Sequence, residues 1–416
     1  MSDPGDALGR FEALLSPRGA KLLDRIAGEN VSPGSELRLA TRLRAEYPAW
    51  LVSDALAQHD LRVRAQPKFS RAMSMFFTRP GLEQASSELV SGNRARRYAG
   101  AAEVADLCCG IGGDLTTLAA GHTVLAVDRD PLHLRMARAN AAVLGVEGNV
   151  TTVCADVRDA GLAGVQAVFA DPARRAGPRR LRTGDSEPPL DWCLSLATRV
   201  DRVGIKAAPG LPREAVPDDW ELEFIAVGRD LKEAVLWSPP LATAARRATI
   251  LPGGHTLGRP RAAGPDAARP DAPPHDDPDG AAVVPVRMPG AYLYDPNPAV
   301  TRAGLVRDLA RMIGAWQIDS QIAFLSADEA APTPFARLLR IVDSGPWDQK
   351  RLPARLRALD VGAVDIRRRG LAGDTDRLHR QLKLSGSRRA TLVMTRVNDR
   401  PWALVCADVS RPGRAG

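Results

Sequence analysis

The N-terminal part of the chain is patterned for helices. Apolar residues recur every three or four positions in three runs, over 11–15, 22–26 and 37–56. Pro33-Gly34 separates the second run from the third. Residues 66–80 gather aromatic side chains without a regular period, which predicts a loop. We therefore predict a helical region over residues 1–98 that contains this loop.

From residue 104 onward, short apolar strands alternate with helices. The predicted strands are 104–108, 123–127, 150–154, 165–170 and 202–206. The first four are apolar on both faces, as strands covered by helices on both sides of a sheet require. Residues 221–227 and 233–237 follow closely enough to pair as an antiparallel hairpin. This alternation predicts an α/β fold with a doubly wound, Rossmann-like sheet over residues 99–256.

The composition changes after this predicted sheet. Residues 257–289 are rich in Pro, Gly, Ala and Asp, which predicts a disordered or extended linker. Beyond it, residues 290–416 return to strand patterns such as 390–394. We predict a second globular unit of the α/β class in this C-terminal region.

The bulk composition is that of a folded globular protein, because 44% of the 416 residues are apolar and 25% are charged. The chain begins without a basic and apolar leader pattern, and it has no run of about eighteen apolar residues. We therefore expect a cytoplasmic protein that does not enter a membrane. The net charge of +8 fits a polyanionic partner but fits a protein without one equally well.

The cysteine and histidine positions give no sign of a metal site. The five cysteines form no Cys-x-x-Cys pair, and the six histidines show no ligand spacing with them. We expect reduced thiols in the core and no bound metal. The cysteines are Cys108, Cys109, Cys154, Cys193 and Cys406.

The predicted strand at 104–108 runs into a glycine turn and then a helix. Glycines let the backbone approach a ligand closely, and the helix that follows presents free N–H groups at its start. The candidate cofactor contacts in this turn are Gly110, Gly112 and Asp114. A dinucleotide-binding turn would have a glycine at the position of Leu115, so the pattern disfavours NAD.

Carboxylates stand near the ends of successive predicted strands. Asp128 ends the second strand and is placed to accept both ribose hydroxyls of an adenosyl group. Asp156 follows the third strand, where it can accept from the adenine amino group. Asp106, beside the turn, is available to a positively charged amine. One such acid alone would be a cap or a solvated strand end, but three in this order predict a site for an adenosyl cofactor.

These residues resemble a known family. The site is similar to that of class I S-adenosylmethionine-dependent methyltransferases at three places: DLCCGIGG over 106–113, DRDP over 128–131, and Asp156. The similarity is greatest to the trimethylguanosine-synthase-like branch of RNA methyltransferases, and it covers about residues 66–240. The resemblance implies S-adenosylmethionine as the cofactor and methyl transfer as the reaction.

The resemblance also includes the aromatic loop at 66–80. In the same branch a comparable loop packs over the cofactor. The resemblance therefore implies that Phe77 or Thr78 lines the cofactor site. A buried hydrophobic contact is the alternative role for this part of the loop.

The fourth predicted strand is followed by Asp171-Pro172-Ala173-Arg174. Amino-methylating relatives carry Asn or Asp, then Pro, Pro and an aromatic residue, so this chain keeps the first two positions and departs at the last two. We predict that Asp171 and Pro172 are catalytic, because their oxygens can hold an exocyclic N–H₂ group with its lone pair toward the methyl group. A turn that simply ends the strand is the alternative.

Arginines follow this tetrapeptide closely. Arg174 and Arg175 begin a basic loop, and we predict that they contact substrate phosphates, with a solvated loop as the alternative. A similar tetrapeptide, Asp295-Pro296-Asn297-Pro298, lies outside the order of the sheet. We predict that this second tetrapeptide is a turn and a helix cap.

The last part of the chain carries most of the excess positive charge, between residues 351 and 389. The runs VDIRRRG at 364–370 and LKLSG at 382–386 resemble the THUMP-like C-terminal domain, over about 345–413. THUMP domains bind RNA, so the resemblance implies RNA as the partner; a charged solvent face is the alternative. Aromatic residues are few here, which favours contacts to the RNA backbone over stacking. The candidate substrate contacts are Arg367, Arg368 and Arg369.

Three functions follow from these patterns. The favoured one is methylation of a base nitrogen of RNA. The second is an RNA-binding or ribosome-assembly protein that keeps the cofactor but catalyses weakly, which the departure at Ala173-Arg174 supports. The third is methylation of a small molecule or a protein.

Overall fold

The computed structural model describes residues 5–29, 34–173, 186–261 and 283–409, and the backbone alone at 175–176 and 179–180. The chain forms two compact units. The first contains Met1–Glu221 and Glu233–Ala242, and the second contains Leu222–Lys232 and Thr243–Gly416. Within the described ranges, no helix is long and apolar enough to cross a membrane.

Helices precede the sheet in the first unit, as their apolar spacing predicts. They are α1 Ala7–Leu15, α2 Pro17–Ala27, α3 Glu36–Leu43, α4 Ala49–Ala65, α5 Arg79–Gln84 and α6 Glu88–Ala95. Asp6, Ser16 and Thr78 cap α1, α2 and α5 by accepting a hydrogen bond from the third backbone N–H beyond them. The apolar run at 37–56 is not one helix but two. Pro48 is the N-cap of α4, a position where its lack of an N–H removes no helical hydrogen bond.

The elements that follow alternate between strands and helices. They are β1 Glu103–Leu107, α7 Leu115–Leu118, β2 Thr123–Asp128, α8 Pro131–Val143, β3 Val150–Cys154, β4 Ala167–Ala170, β5 Arg175–Ala176, β6 Arg179–Arg180, α9 Leu190–Ser195, β7 Arg202–Ala207, β8 Glu221–Val227 and β9 Asp230–Trp237. Short 3-10 helices lie at Arg96–Tyr98, Glu147–Asn149, Leu196–Thr198 and Arg213–Ala215.

The first unit contains a mainly parallel sheet in the order β9-β7-β4-β1-β2-β3. β3, β2, β1, β4 and β7 pair in parallel, and β9 pairs with β7 in the antiparallel direction. The predicted doubly wound α/β sheet is therefore confirmed. β1 and β4 are buried on both faces, as predicted.

The prediction that β3 is buried on both faces is wrong. β3 is the edge strand, and the side chain of Val153 is 37% exposed. Cys154 at its end is exposed as well, so it is not a core thiol. An apolar run can form an edge strand because one partner strand and one helix layer already bury part of its surface.

The second unit contains two groups of strands. In the first group, β8 pairs in parallel with β10 Arg246–Leu251, which pairs with the antiparallel strand β11 His255–Arg259. β11 extends into the predicted linker at 257–289, so the first residues of that segment are ordered as a strand. The rest of the prediction falls largely on 262–282, which lie outside the described residues.

The second group of strands forms a seven-stranded sheet in the order β13-β14-β12-β15-β18-β17-β16. Its elements are β12 Tyr292–Pro296, α10 Pro298–Arg302, α11 Val306–Met312, β13 Trp316–Gln317, β14 Leu325–Ala327, β15 Ala336–Pro346, α12 Leu352–Ala358, β16 Val361–Arg368, α13 Thr375–Leu382, β17 Arg388–Val397 and β18 Arg400–Asp408. α12 and α13 pack on one face of it through leucines. The predicted cap is confirmed at Asn297, whose side chain accepts from the Ala299 N–H, whereas Asp295 belongs to β12 and not to a turn.

A glycine in β7 makes room for two buried aromatic rings. The rings of Tyr98 and Trp237 meet edge-on with centroids 5.8 Å apart, and Tyr98 donates to the Val168 carbonyl at 3.1 Å. A Cβ added at Gly204 would lie 2.3 Å from the Tyr98 hydroxyl and 2.6 Å from Cζ3 of Trp237. Any side chain at this position must therefore displace the pair.

We predict that Gly204→Ala lowers the free energy of unfolding by about 1–3 kcal/mol, the usual cost of overpacking a core. Urea denaturation measures this difference. Gly148→Ala is the matched control, because an added Cβ there has no atom within 4 Å. Equal stabilities of the two variants would mean that β7 has more space than its neighbours indicate.

Candidate active site

The candidate residues meet at one edge of the sheet in the first unit. Gly110 and Gly112 follow β1, Asp128 ends β2, Asp156 follows β3, and Asp171 follows β4. β3, β2, β1 and β4 are parallel neighbours, so their carboxyl ends lie side by side. Ligands of open α/β sheets bind at this edge. The structure therefore places these five predicted residues along one edge of the sheet.

The glycine turn has the backbone conformation of a ligand-binding loop. Gly110 and Gly112 have φ values of 54° and 86°, a region that glycine adopts without strain. The Gly110 N–H donates to Asp128 Oδ2 at 2.8 Å, and the Asp130 N–H donates to Asp128 Oδ1 at 2.9 Å. A Cβ on Gly112 would meet Ala137 of α8 at 3.1 Å. Asp128 thus holds the turn in place, and each of its oxygens keeps a lone pair for a ribose hydroxyl.

Asp106 is a buried carboxylate whose oxygens have no hydrogen-bond partner among the described residues. Its side chain is 1% exposed. Burial raises the pKa of Asp106 well above its usual range, the carboxylates of Asp114 and Asp171 raise it further, and Arg94 opposes them. An unpartnered buried carboxyl is costly unless a donor or cation reaches it. The amino group of S-adenosylmethionine is such a cation, so the site fits this cofactor.

Asp114 belongs to a buried ion-pair network. Arg94, which is 1% exposed, donates from Nε to Asp114 Oδ1 at 3.1 Å. The same guanidinium pairs with Glu233 of β9 and donates to the Ser86 hydroxyl at 2.7 Å. It also lies 4.8 Å over the ring of Phe169. Asp114 stays a predicted cofactor contact, although Arg94 already occupies its Oδ1.

The aromatic loop before α5 contains two of the predicted cofactor contacts, the apolar Phe77 and the polar Thr78. Phe77 is 2% exposed and packs against Phe69 at 5.6 Å between ring centroids, in the core formed by the N-terminal helices. The Thr78 hydroxyl accepts from Gly81 at 3.0 Å and lies 3.0 Å from Nε2 of His133 on α8. α8 begins directly after Asp128, so this bond connects the loop to the cofactor edge. The contact of Phe77 and Thr78 with the cofactor stays a prediction.

Asp156 forms an ion pair with Arg158, an arginine that the sequence analysis did not identify as a site residue. Its Oδ1 accepts from the Arg158 N–H at 2.9 Å, and its Oδ2 pairs with the Arg158 guanidinium at 3.0 Å. Arg158 also pairs with Glu187 at 2.5 Å. Glu187 exchanges backbone hydrogen bonds of 2.8 and 2.9 Å with Ala173, which follows Asp171-Pro172. These two backbone bonds therefore join the two ends of the segment between Ala173 and Glu187.

Asp171 is fixed both by its backbone and by its side chain. Its N–H donates to the Leu107 carbonyl at 3.1 Å, and its Oδ2 lies 2.6 Å from Nζ of Lys206. The sequence indicates Lys206 only as a charged residue at the end of an apolar strand. Pro172 is buried behind Asp171. Arg174 lies outside the described residues, and of Arg175 only the backbone is described.

The three arginines predicted to contact RNA lie in the second unit and differ in their surroundings. Arg368 donates to the Gly373 carbonyl at 2.6 Å. Arg369 donates to the Ala323 carbonyl at 3.1 Å and lies 4.8 Å over the ring of Phe324. Arg367 is exposed at the end of β16. The structure thus gives Arg369 a packing role, whereas Arg367 and Arg368 are both exposed.

The cysteines are free thiols, and most of them are buried. Burial raises the pKa of Cys193 and of Cys406 to about 12, so these thiols are poor nucleophiles. Over the ranges that the structure describes, no three His, Cys, Asp or Glu side chains are arranged to hold a metal ion.

A parallel sheet with an antiparallel strand β9 beside β7, a glycine turn and a carboxylate at the end of β2 define a class I methyltransferase fold. Family models match three segments of the chain. Residues 101–242 match the RNA cap guanine-N2 methyltransferase family, 336–408 match the THUMP domain-like family, and 6–65 match a domain of unknown function.

Whole-chain relatives agree with this class. Two proteins of Mycobacterium tuberculosis, from strains CDC 1551 and H37Rv, are each named an uncharacterized S-adenosylmethionine-dependent methyltransferase. Each is 37% identical over 383 residues, which cover 88% of this chain and 97% of the relative. The chain belongs to this family of S-adenosylmethionine-dependent methyltransferases. The predicted cofactor and enzyme class are thereby confirmed.

A solved structure shows the same fold. The crystal structure of a proposed methyltransferase from Porphyromonas gingivalis W83 superposes with a TM-score of 0.72 and 18% identity. The match covers 99% of this chain and all of the other. At this identity the similarity concerns the fold alone.

We predict that Asp128→Ala weakens S-adenosylmethionine binding at least about tenfold, because each lost hydrogen bond to a charged group costs roughly 1.5–3 kcal/mol. Isothermal calorimetry measures the affinity. Asp159→Ala removes an exposed acid that follows β3 in the chain and serves as the control. An unchanged affinity in a folded Asp128→Ala variant would remove Asp128 from the cofactor site.

A second prediction follows from the raised pKa of Asp106. The free protein keeps this carboxyl protonated below its raised pKa, whereas the cofactor's ammonium favours the carboxylate. Binding therefore releases a proton, and the affinity for S-adenosylmethionine should rise with pH. Calorimetry between about pH 5 and 7, below the usual range of an α-amino group, in buffers of different ionisation enthalpy measures this release. Asp106→Asn should abolish it, and a release that persists in this variant would place the proton elsewhere.

Proposed function

We propose that this methyltransferase acts on a base nitrogen of RNA, in the cytoplasm. The observation that carries the proposal is the carboxylate of Asp171, which is 26% exposed at the end of an otherwise buried strand. It lies one strand away from the glycine turn, because β4 pairs with β1. An acceptor at this point can hold an N–H group beside the cofactor.

Methyl transfer depends more on aligning the nitrogen with the methyl carbon than on activating the methyl group. S-adenosylmethionine supplies a methyl carbon that its sulfonium already makes electrophilic. The protein must therefore orient the nitrogen lone pair and exclude water. The Asp171 oxygen that Lys206 does not contact, Oδ1, accepts one N–H of the base, and the carbonyl of Pro172 accepts a second. When the nitrogen gains the methyl group it loses a proton, and the Asp171 carboxylate is the nearest base to receive it.

RNA as the substrate is supported by two family matches and by the basic strand β16. The RNA cap guanine-N2 methyltransferase model covers the catalytic edge, and the THUMP domain-like model covers Arg367 and its neighbours. We propose that Arg367 and Arg368 contact RNA phosphates, with Arg369 supporting them from its position on Phe324. Arg174 and Arg175 are proposed to contact the same substrate near Asp171.

A second candidate function rests on Ala173. Both of its backbone hydrogen-bonding groups pair with Glu187, and its side chain offers no surface on which a base can stack. This observation favours an RNA-binding or assembly protein that keeps the cofactor but transfers methyl groups slowly. The same experiment distinguishes the two functions.

We predict that the purified protein transfers labelled methyl groups to RNA from a strain that lacks its gene. In single-turnover reactions at saturating cofactor, Asp171→Ala should lower the rate by roughly 10²–10³-fold, as the loss of one oriented polar group does elsewhere. Cofactor affinity should change little, because Asp171 contacts the substrate. Mass spectrometry of nucleosides then identifies the methylated base.

Asp171→Asn is the companion variant, since it keeps an acceptor oxygen and should retain part of the activity. Label that enters protein or small molecules instead of RNA would contradict the proposed substrate. Tight RNA binding with negligible transfer by the wild type would favour the second candidate function.

A further inference from the structure

A lysine ammonium lies buried directly beside the proposed catalytic carboxylate. Lys206 is near the end of β7, and its side chain is 8% exposed. Its Nζ lies 2.6 Å from Asp171 Oδ2. β7 and β4 are parallel neighbours, so both side chains leave the sheet at the same edge. A buried ammonium is stable only when it is paired, and Asp171 is its carboxylate partner among the described residues.

The other hydrogens of the ammonium are also used. Nζ donates to the Ser86 hydroxyl at 3.2 Å and to the Gln84 carbonyl at 3.4 Å. Gln84 is the last residue of α5, and Ser86 lies in the segment that joins α5 to α6. An ammonium has three N–H groups, and here each has an acceptor. Lys206 therefore has a fixed position and no hydrogen left for a substrate.

The neighbouring cation does not compete for Asp171. Ser86 also accepts from Arg94 at 2.7 Å, so one hydroxyl separates the two positive charges. The charge of Arg94 is met by Asp114 and Glu233. Lys206 and Asp171 thus form a one-to-one pair, and a change in either residue leaves the other uncompensated.

We propose that Lys206 is a positioning residue for methyl transfer. By occupying Oδ2 it fixes the rotation of the Asp171 carboxylate and leaves Oδ1 as the oxygen that accepts the substrate N–H. Lys206 does not touch the substrate and acts only through Asp171. The inference rests on the proposed role of Asp171, but it does not depend on whether the substrate is RNA.

A set of four proteins tests this inference: wild type, Lys206→Met, Asp171→Asn and the double variant. In the Asp171 background, Lys206→Met should lower the single-turnover rate about 10- to 100-fold, because the freed carboxylate no longer holds the nitrogen in line. In the Asp171→Asn background, the same change should cost less than about 3-fold, since no charged pair remains to be broken. The affinity for S-adenosylmethionine should be unchanged throughout.

The rate is measured on whichever fraction of a deletion strain accepts the label: RNA, protein or small molecules. Label in protein or small molecules would therefore refute the proposed substrate without affecting this test. Lys232→Met is the matched control, because Lys232 forms an exposed ion pair with Asp230 and should leave transfer unchanged. Lys206→Gln, which keeps a neutral N–H donor, replaces Lys206→Met should the latter fail to fold.

Two results would overturn the inference. One is an equal loss of rate from the Lys206 change in both backgrounds, which a merely structural role would give. The other is a wild-type rate in a folded Lys206→Met protein. Equilibrium unfolding of the same four proteins must also show that the two side chains are coupled, and strictly additive stabilities would contradict the pair itself.

Discussion

The guanidinium of Arg94 is almost completely buried, and the elements around the cofactor edge are joined through it. It pairs with Asp114 beyond the glycine turn and with Glu233 on β9. It also donates to Ser86 and lies over the ring of Phe169 on β4. Because a buried charge is tolerated only when it is fully paired, these positions must form together. A polar network therefore sets the geometry of this edge as much as apolar packing does.

The same edge is rich in carboxyl groups. Asp106 has no cation bonded to it among the described residues, while Arg94 and Lys206 are held by partners of their own. S-adenosylmethionine carries a sulfonium and an ammonium, so the carboxylates attract both of its positive charges. Methyl transfer removes the sulfonium charge. The demethylated product therefore keeps only the ammonium for these carboxylates to attract.

The sequence was sufficient for features that depend on local pattern. The alternation of strands and helices, the glycine turn and the acids at strand ends follow from period and spacing, and Asp128 is where the pattern places it. The pairs Arg94–Glu233 and Lys206–Asp171 could not be predicted in the same way, because their members are 139 and 35 residues apart in the chain. A lysine that ends an apolar strand looks solvated until the neighbouring strand supplies a carboxylate. β3 and β11 were misjudged because composition does not distinguish an edge strand from a central one or a strand from a linker.

The backbone pair between Ala173 and Glu187 decides how much the length of the chain between them matters to the fold. Whatever lies between these residues, their hydrogen bonds of 2.8 and 2.9 Å hold the two ends together. Doubling the length of a closed loop costs only about 0.6 kcal/mol. A longer or shorter segment between Ala173 and Glu187 would therefore change the free energy of folding little, and Asp171 would keep its bonds to Leu107 and Lys206.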